Sequence, residues 1–169
     1  MFEFLGDSLR RCAARVSELG GNVHRHHVAK PASPAEIDRL RNRLGGSLPH
    51  QLELLLSTFS KHAEFCWQLE VPDSGPPALR GQLLWGEFLW QIRTVDFMHP
   101  NDYWWAEEIV DGERPGDWLK KVVLCTAPDG DLLAIGLEGR IHDKPVYIAH
   151  DGPVGEIDRI LGDDLESFF

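Results

Sequence analysis

Three groups of side chains in this sequence have types and spacings that chemistry could use. His24-x-His26-His27 gathers three imidazoles, the commonest metal-ligating group. No cysteine or carboxylate stands nearby at ligand spacing, and Arg25 and Lys30 put positive charge where a cation would sit. The triplet therefore reads as exposed histidines in a loop. His150-Asp151 has the composition of a base with its orienting acid. No nucleophile motif such as GxSxG accompanies it, and Asp151-Gly152 is ordinary turn chemistry. Asp129 and Asp131 flank Gly130 with oxygens suited to calcium, but the EF-hand spacing is absent and they read as turn formers. There is no glycine-rich phosphate cradle and no basic-aromatic platform for nucleic acid. A small hydrolase or metal-dependent enzyme built on these histidines is the minority reading, and no cofactor or metal is implied.

A fourth group suits recognition. Val95 to Trp118 holds Asp96, Asp102, Glu107, Glu108, Asp111, Glu113 and Asp117 against a single base, Arg114, together with Tyr103, Trp104, Trp105 and Trp118. Trp and Tyr carry large rigid contact area and dominate binding hot spots. A negative field around them speeds encounter with a basic partner. Asp102, Tyr103, Trp104, Trp105, Glu107, Glu108, Asp111 and Glu113 are accordingly the candidate partner-binding residues. The competing reading makes the tryptophans core and the acids a solvated rim.

The whole-chain charge agrees with a protein partner. Net charge is −10, and it is uneven: residues 1–60 carry +2 and residues 61–169 carry −12. Such a surface repels nucleic acid and attracts a basic protein, though solubility alone would also explain it. No apolar run approaches the ~18 residues of a membrane span. The N-terminus has acids where a secretory signal has bases. Cys12, Cys66 and Cys125 are far apart and odd in number, as expected of reduced thiols in a cytoplasmic protein.

At 169 residues, 43% of them hydrophobic and 26% charged, the sequence describes one globular domain. Its centre is Val122 to Ala149, where Val122–Cys125, Leu132–Ile135 and Val146–Ala149 are continuously apolar and separated by turns. Such runs mark strands covered on both faces, here a three-stranded antiparallel meander. Phe2, Leu5, Leu9, Cys12, Val16 and Leu19 share one helical face that Gly20-Gly21 ends. Asn22 to Ala32 reads as a surface connection. Ser33-Pro34-Ala35-Glu36 is a capping box with proline at the first helical position, opening a helix whose stripe is Ile37, Leu40 and Leu44. Leu48-Pro49 opens another, with Leu52, Leu55, Leu56 and Phe59 inward. Glu64 to Val71 alternates as a half-exposed strand, Pro72 to Gly81 is a loop, and Gln82 to Thr94 carries one or two more strands. A helix near 101–110 and a C-terminal helix over Val154–Phe169, with Ile157, Ile160, Leu161, Leu165 and Phe168 inward, complete the expectation. The fold class is α+β: a mostly antiparallel, curved sheet of about five to six strands, flanked by N-terminal helices and a C-terminal helix. The abrupt Phe168-Phe169 ending fits a natural chain that was clipped.

Ser33-Pro34-x-Glu36-Ile37, Leu40, Leu44-Gly45, Leu48-Pro49, Leu52 and Leu55-Leu56 together resemble the helical opening of the SUKH superfamily, the Smi/Knr-type fold. Gly130-Asp131-Leu132-Leu133-Ala134-Ile135, Pro145-Val146-Tyr147 and His150-Asp151 are similar to its central strands, and Ile157–Phe169 to its closing helix. The resemblance runs from about residue 33 to the end and leaves 1–32 as an N-terminal helical extension. Ser60-Lys61-His62 departs from the Asn-Gly or Gly-Gly turn usual after the Leu-Pro helix. The resemblance implies a single, non-catalytic binding domain. Many bacterial members are immunity proteins that neutralise the toxin of a contact-dependent or polymorphic system, and eukaryotic relatives act as regulators tied to cell-wall synthesis. The expected partner is thus a basic toxin domain, with a scaffold for a housekeeping protein as the alternative.

Overall fold

A computed structural model describes residue 2 and residues 4–97, 121–126, 130–148 and 159–169. It is an α+β domain with two antiparallel sheets. The elements are α1 (Phe4–Glu18), β1 (Asn22–Val28), α2 (Pro34–Arg43), α3 (His50–Leu54), β2 (His62–Glu70), β3 (Leu83–Gln91), β4 (Asp96–Phe97), β5 (Lys121–Thr126), β6 (Leu132–Gly136), β7 (Pro145–Ile148), β8 (Arg159–Ile160) and α4 (Leu165–Phe168). α3 runs on as one π-helical turn, Leu55–Phe59, which keeps Leu55, Leu56 and Phe59 all in the core. The strands order as β1-β2-β3 in a three-stranded sheet and β4-β5-β6-β7-β8 in a five-stranded one.

The expected meander is the middle of the second sheet: β6 pairs with both β5 and β7. Its unbroken apolar runs have the expected cause. Leu132, Ala134, Val146 and Ile148 are fully buried on one face, while Val122 and Ile135 enter the main core on the other. The strands are divided between two sheets, against the single sheet expected, because the turn after β3 carries the chain from one sheet into the next.

Two segments differ from their sequence reading. Asn22–Val28 is an edge strand and not a connection; it is exposed on nearly every residue, so no apolar period marks it. Its pairing to β2 supplies the order. The closing segment is not one helix. Ile160 lies in β8, opposite Val146, and only Leu165–Phe168 is helical. Backbone pairing to β7 there outweighs the local helical pattern of the sequence.

The helix starts behave as written. The Glu36 carboxylate accepts from the Ser33 N–H at 2.9 Å and from its hydroxyl at 2.8 Å. It also receives Lys61 Nζ at 2.6 Å, which ties α2 to the start of β2. Arg41 reaches Glu53 at 2.9 Å and joins α2 to α3. Arg43 fastens the turn between the sheets: its guanidinium donates to the Ile92 carbonyl at 2.9 Å, to that of Arg93 at 3.2 Å, and to that of Val95. Leu5 and Leu9 of α1 join the same cluster as Ala63, Phe88 and Trp90. The first helix is therefore packed against the inner side of the three-stranded sheet, with Phe2 wholly buried beneath it.

Two outcomes follow. The hydrogen bond from Lys61, then those from Ser33, hold the Glu36 carboxyl down from 4.5 to about 2. A depressed folded-state pKa stabilises at every pH above the unfolded value and is lost as pH falls through the folded one. Chemical denaturation should show Glu36→Gln less stable than the parent at neutral pH, with the gap closing between about 4.5 and about 2. Arg43→Lys keeps the charge but cannot span three carbonyls. It should cost about 1–2 kcal/mol in the same assay.

Candidate protein-binding face

The candidate interface Asp102, Tyr103, Trp104, Trp105, Glu107, Glu108, Asp111 and Glu113 lies outside the described residues, as do the expected helix near 101–110 and the His150-Asp151 pair. The strands on either side of that stretch are paired, with Phe97 of β4 opposite Val122 of β5.

The histidine triplet does not converge. A bulge between Val23 and Arg25 and the alternation of β1 send the three rings apart. His24 meets the Gln68 side chain at 3.2 Å, His26 stands edge-on to Phe65 at 5.7 Å, and His27 lies 5.1 Å from the His62 ring. His62 Nε2 is 3.1 Å from Glu64 Oε1 but makes no hydrogen bond, so the contact is ionic only when His62 holds a proton. Among the described residues no three His, Cys, Asp or Glu side chains are placed to hold a metal. Asp131 is more than a turn former: it is buried, 7% exposed, and accepts from the Tyr147 hydroxyl.

What the described residues do present is a two-faced sheet. The register pairs Ala63 with Trp90, Phe65 with Phe88, Trp67 with Gly86 and Leu69 with Leu84, which sets these side chains on the inner face. Gly86 is required there. A Cβ on it would stand 2.6 Å from Trp67 Nε1, so the indole lies directly over the glycine.

The opposite face sets Glu70 beside Leu83, Gln68 beside Trp85, Cys66 beside Glu87 and Glu64 beside Leu89. Leu83 and Trp85 are 54% and 55% exposed, the most exposed large apolar side chains among the described residues. Glu70 and Glu87 are exposed next to them, and no hydrogen bond or ion pair engages either carboxylate. Arg25 stands on the far strand, opposite Cys66. At ~4.8 Å per strand it lies about 10 Å from the Glu87 backbone, a full Debye length at 0.1 M salt. The outer face thus grades from histidine and arginine at β1 to acid and exposed indole at β3. An indole with free carboxylates beside it can receive a guanidinium or ammonium through both its ring face and those oxygens.

Sequence reading missed this patch. β3 reads Leu-Leu-Trp-Gly-Glu-Phe-Leu-Trp-Gln, and its polar residues Glu87 and Gln91 share the parity of Trp85, a signal diluted by Leu83 and Leu89 on that same parity. A second signal was Gly86, whose partner Trp67 marks the inner parity. No protein-family model matches this chain, and neither the curated proteins nor the solved structures gave a match.

Desolvation pushes the Cys125 thiol up to about 12, so it is not a thiolate at physiological pH. Under native conditions a thiol reagent should modify exposed Cys12 quickly and leave Cys125 untouched until denaturant is added, as read by peptide mass analysis.

Proposed function

We propose that this chain is a non-catalytic binding protein of the immunity type. It neutralises a basic bacterial toxin domain in the cytoplasm by occupying it. One observation carries the reading: an exposed Trp85–Leu83 pair stands beside two free carboxylates on a regular sheet. Monomeric surfaces bury aromatic area when they can, and a Trp offered to solvent beside unmatched charge is the composition of a binding hot spot. The net charge of −10 supports a basic partner, because long-range attraction speeds encounter and discriminates against acidic competitors. No helix among the described residues is long and apolar enough to cross a membrane. The resemblance to the SUKH superfamily supplies the biological setting, and the acidic-aromatic residues 102–113 belong to the same proposal on sequence grounds.

The test is co-expression with the C-terminal domain of a large toxin encoded beside this gene, and a neighbourhood without such a gene overturns the reading. Growth should be rescued by the parent chain. Trp85→Ala should weaken the complex by roughly 10- to 100-fold while leaving thermal stability nearly unchanged. Glu87→Lys should lower the association rate and flatten its dependence on salt. If both proteins accumulate and growth is not restored, the immunity reading is wrong. A pull-down that returns one endogenous protein from a strain without any such toxin would select the scaffold role.

A further inference from the structure

The two outer strands of the three-stranded sheet are treated very differently by the sequence. β1 is bulged between Val23 and Arg25 and carries Arg25 and three histidines on an almost fully exposed strand. Bulges and inserted charge are how proteins keep an edge from recruiting another strand. β3 has neither protection. Its nine residues pair with β2 in an unbroken register, and only one of them, Glu87, is charged. On its outer face Leu83, Trp85 and Glu87 are exposed, whereas Leu89 and Gln91 toward its end are half-buried. Among the described residues no strand pairs with the second edge of β3.

We infer that the Leu83–Glu87 half of β3 binds an extended, basic segment of a protein partner as an added antiparallel strand. The inference rests on the reading of the chain as a binding protein and names how its site is used. Main-chain hydrogen bonds to the open edge supply the attachment, and side chains at alternate positions supply the selectivity. Arginine or lysine on the outer-face positions of the added strand meets the Trp85 ring and the Glu70 and Glu87 carboxylates. The remaining positions face the inner side beside Leu84.

The same edge could in principle take a second copy of this chain, but the charge argues against it. Two copies paired antiparallel over the open Leu83–Glu87 half set each Glu87 opposite Leu83 and leave both carboxylates unmatched. Each copy also carries a net charge of −10, so the two repel. A basic segment removes both costs.

The probe is a synthetic nine-residue peptide of alternating arginine and valine, titrated into the full chain labelled for amide NMR. Shifts should concentrate on Leu83–Glu87 and leave β1 unmoved. Trp85→Ala and Glu87→Lys, both exposed, should each weaken binding by roughly tenfold. Two further peptides carry N-methyl groups on alternate amides, one set on the arginines and one on the valines. Successive N–H groups of a strand point to opposite edges, so one set should abolish binding and the other leave it within about twofold. Equal binding by both methylated peptides, or by a glutamate-valine peptide, overturns the inference. So does absence of binding, or a Trp85-dependent dimer in sedimentation. Rescue by co-expression with a silent peptide titration sinks the added strand and leaves the binding-protein reading intact; peptide binding without rescue does the opposite.

Discussion

The structure depends most on one buried indole. Trp90 sits at the end of β3 with 1% of its surface exposed, and its Nε1–H donates to the Ser60 carbonyl at 3.1 Å. Around it stand Phe59 from the helix layer at 5.8 Å, Phe88 from its own strand at 4.6 Å, and the C-terminal Phe169 at 5.7 Å. One side chain thereby joins the π-helical turn, the three-stranded sheet and the last residue of the chain. A buried indole needs a partner for its N–H, and the carbonyl at the end of a helix that has just broken is a natural one. The helix-to-strand corner at Ser60 and the position of β3 are consequently set by the same hydrogen bond.

What could be read from the sequence divides along physical lines. The Ser33–Glu36 cap and the stripe Ile37, Leu40 and Leu44 were legible because capping and helical burial are decided within a few residues. The runs of β5, β6 and β7 were legible because both faces of those strands are buried. β1 was not, since an exposed edge strand has no apolar period and exists only through its partner. β8 was not either: two residues of pairing are a decision of the whole fold. On the outer face of the three-stranded sheet, the exposure of Trp85 was not legible, because which tryptophan of β3 stands outside depends on the register with β2.

Several polar groups are engaged in structure. Glu36 anchors two elements through Lys61, Asp131 receives the Tyr147 hydroxyl, and burial holds the Cys125 thiol protonated. Asp143, at a positive φ of 56°, points its carboxylate at the Gln51 N–H and so tethers the turn before β7 to the start of α3. Glu36 and Asp143 each place a charge where the fold would otherwise leave a backbone N–H unsatisfied. Glu70 and Glu87, two of the carboxylates left unengaged among the described residues, border the exposed indole. Electrostatic freedom and aromatic exposure therefore coincide on one face of the three-stranded sheet.

β3 has a mechanical property as well. A β-strand is nearly inextensible along its backbone, and four residues separate Trp85 in solvent from Trp90 in the centre of the molecule. A partner holding the outer end restrains the inner one, so occupancy and global unfolding become thermodynamically linked. At a ligand concentration a hundred times its dissociation constant, such linkage raises unfolding free energy by about 2.7 kcal/mol. The resistance of the whole domain to heat would thus report, at a distance, whether the rim of the sheet is occupied.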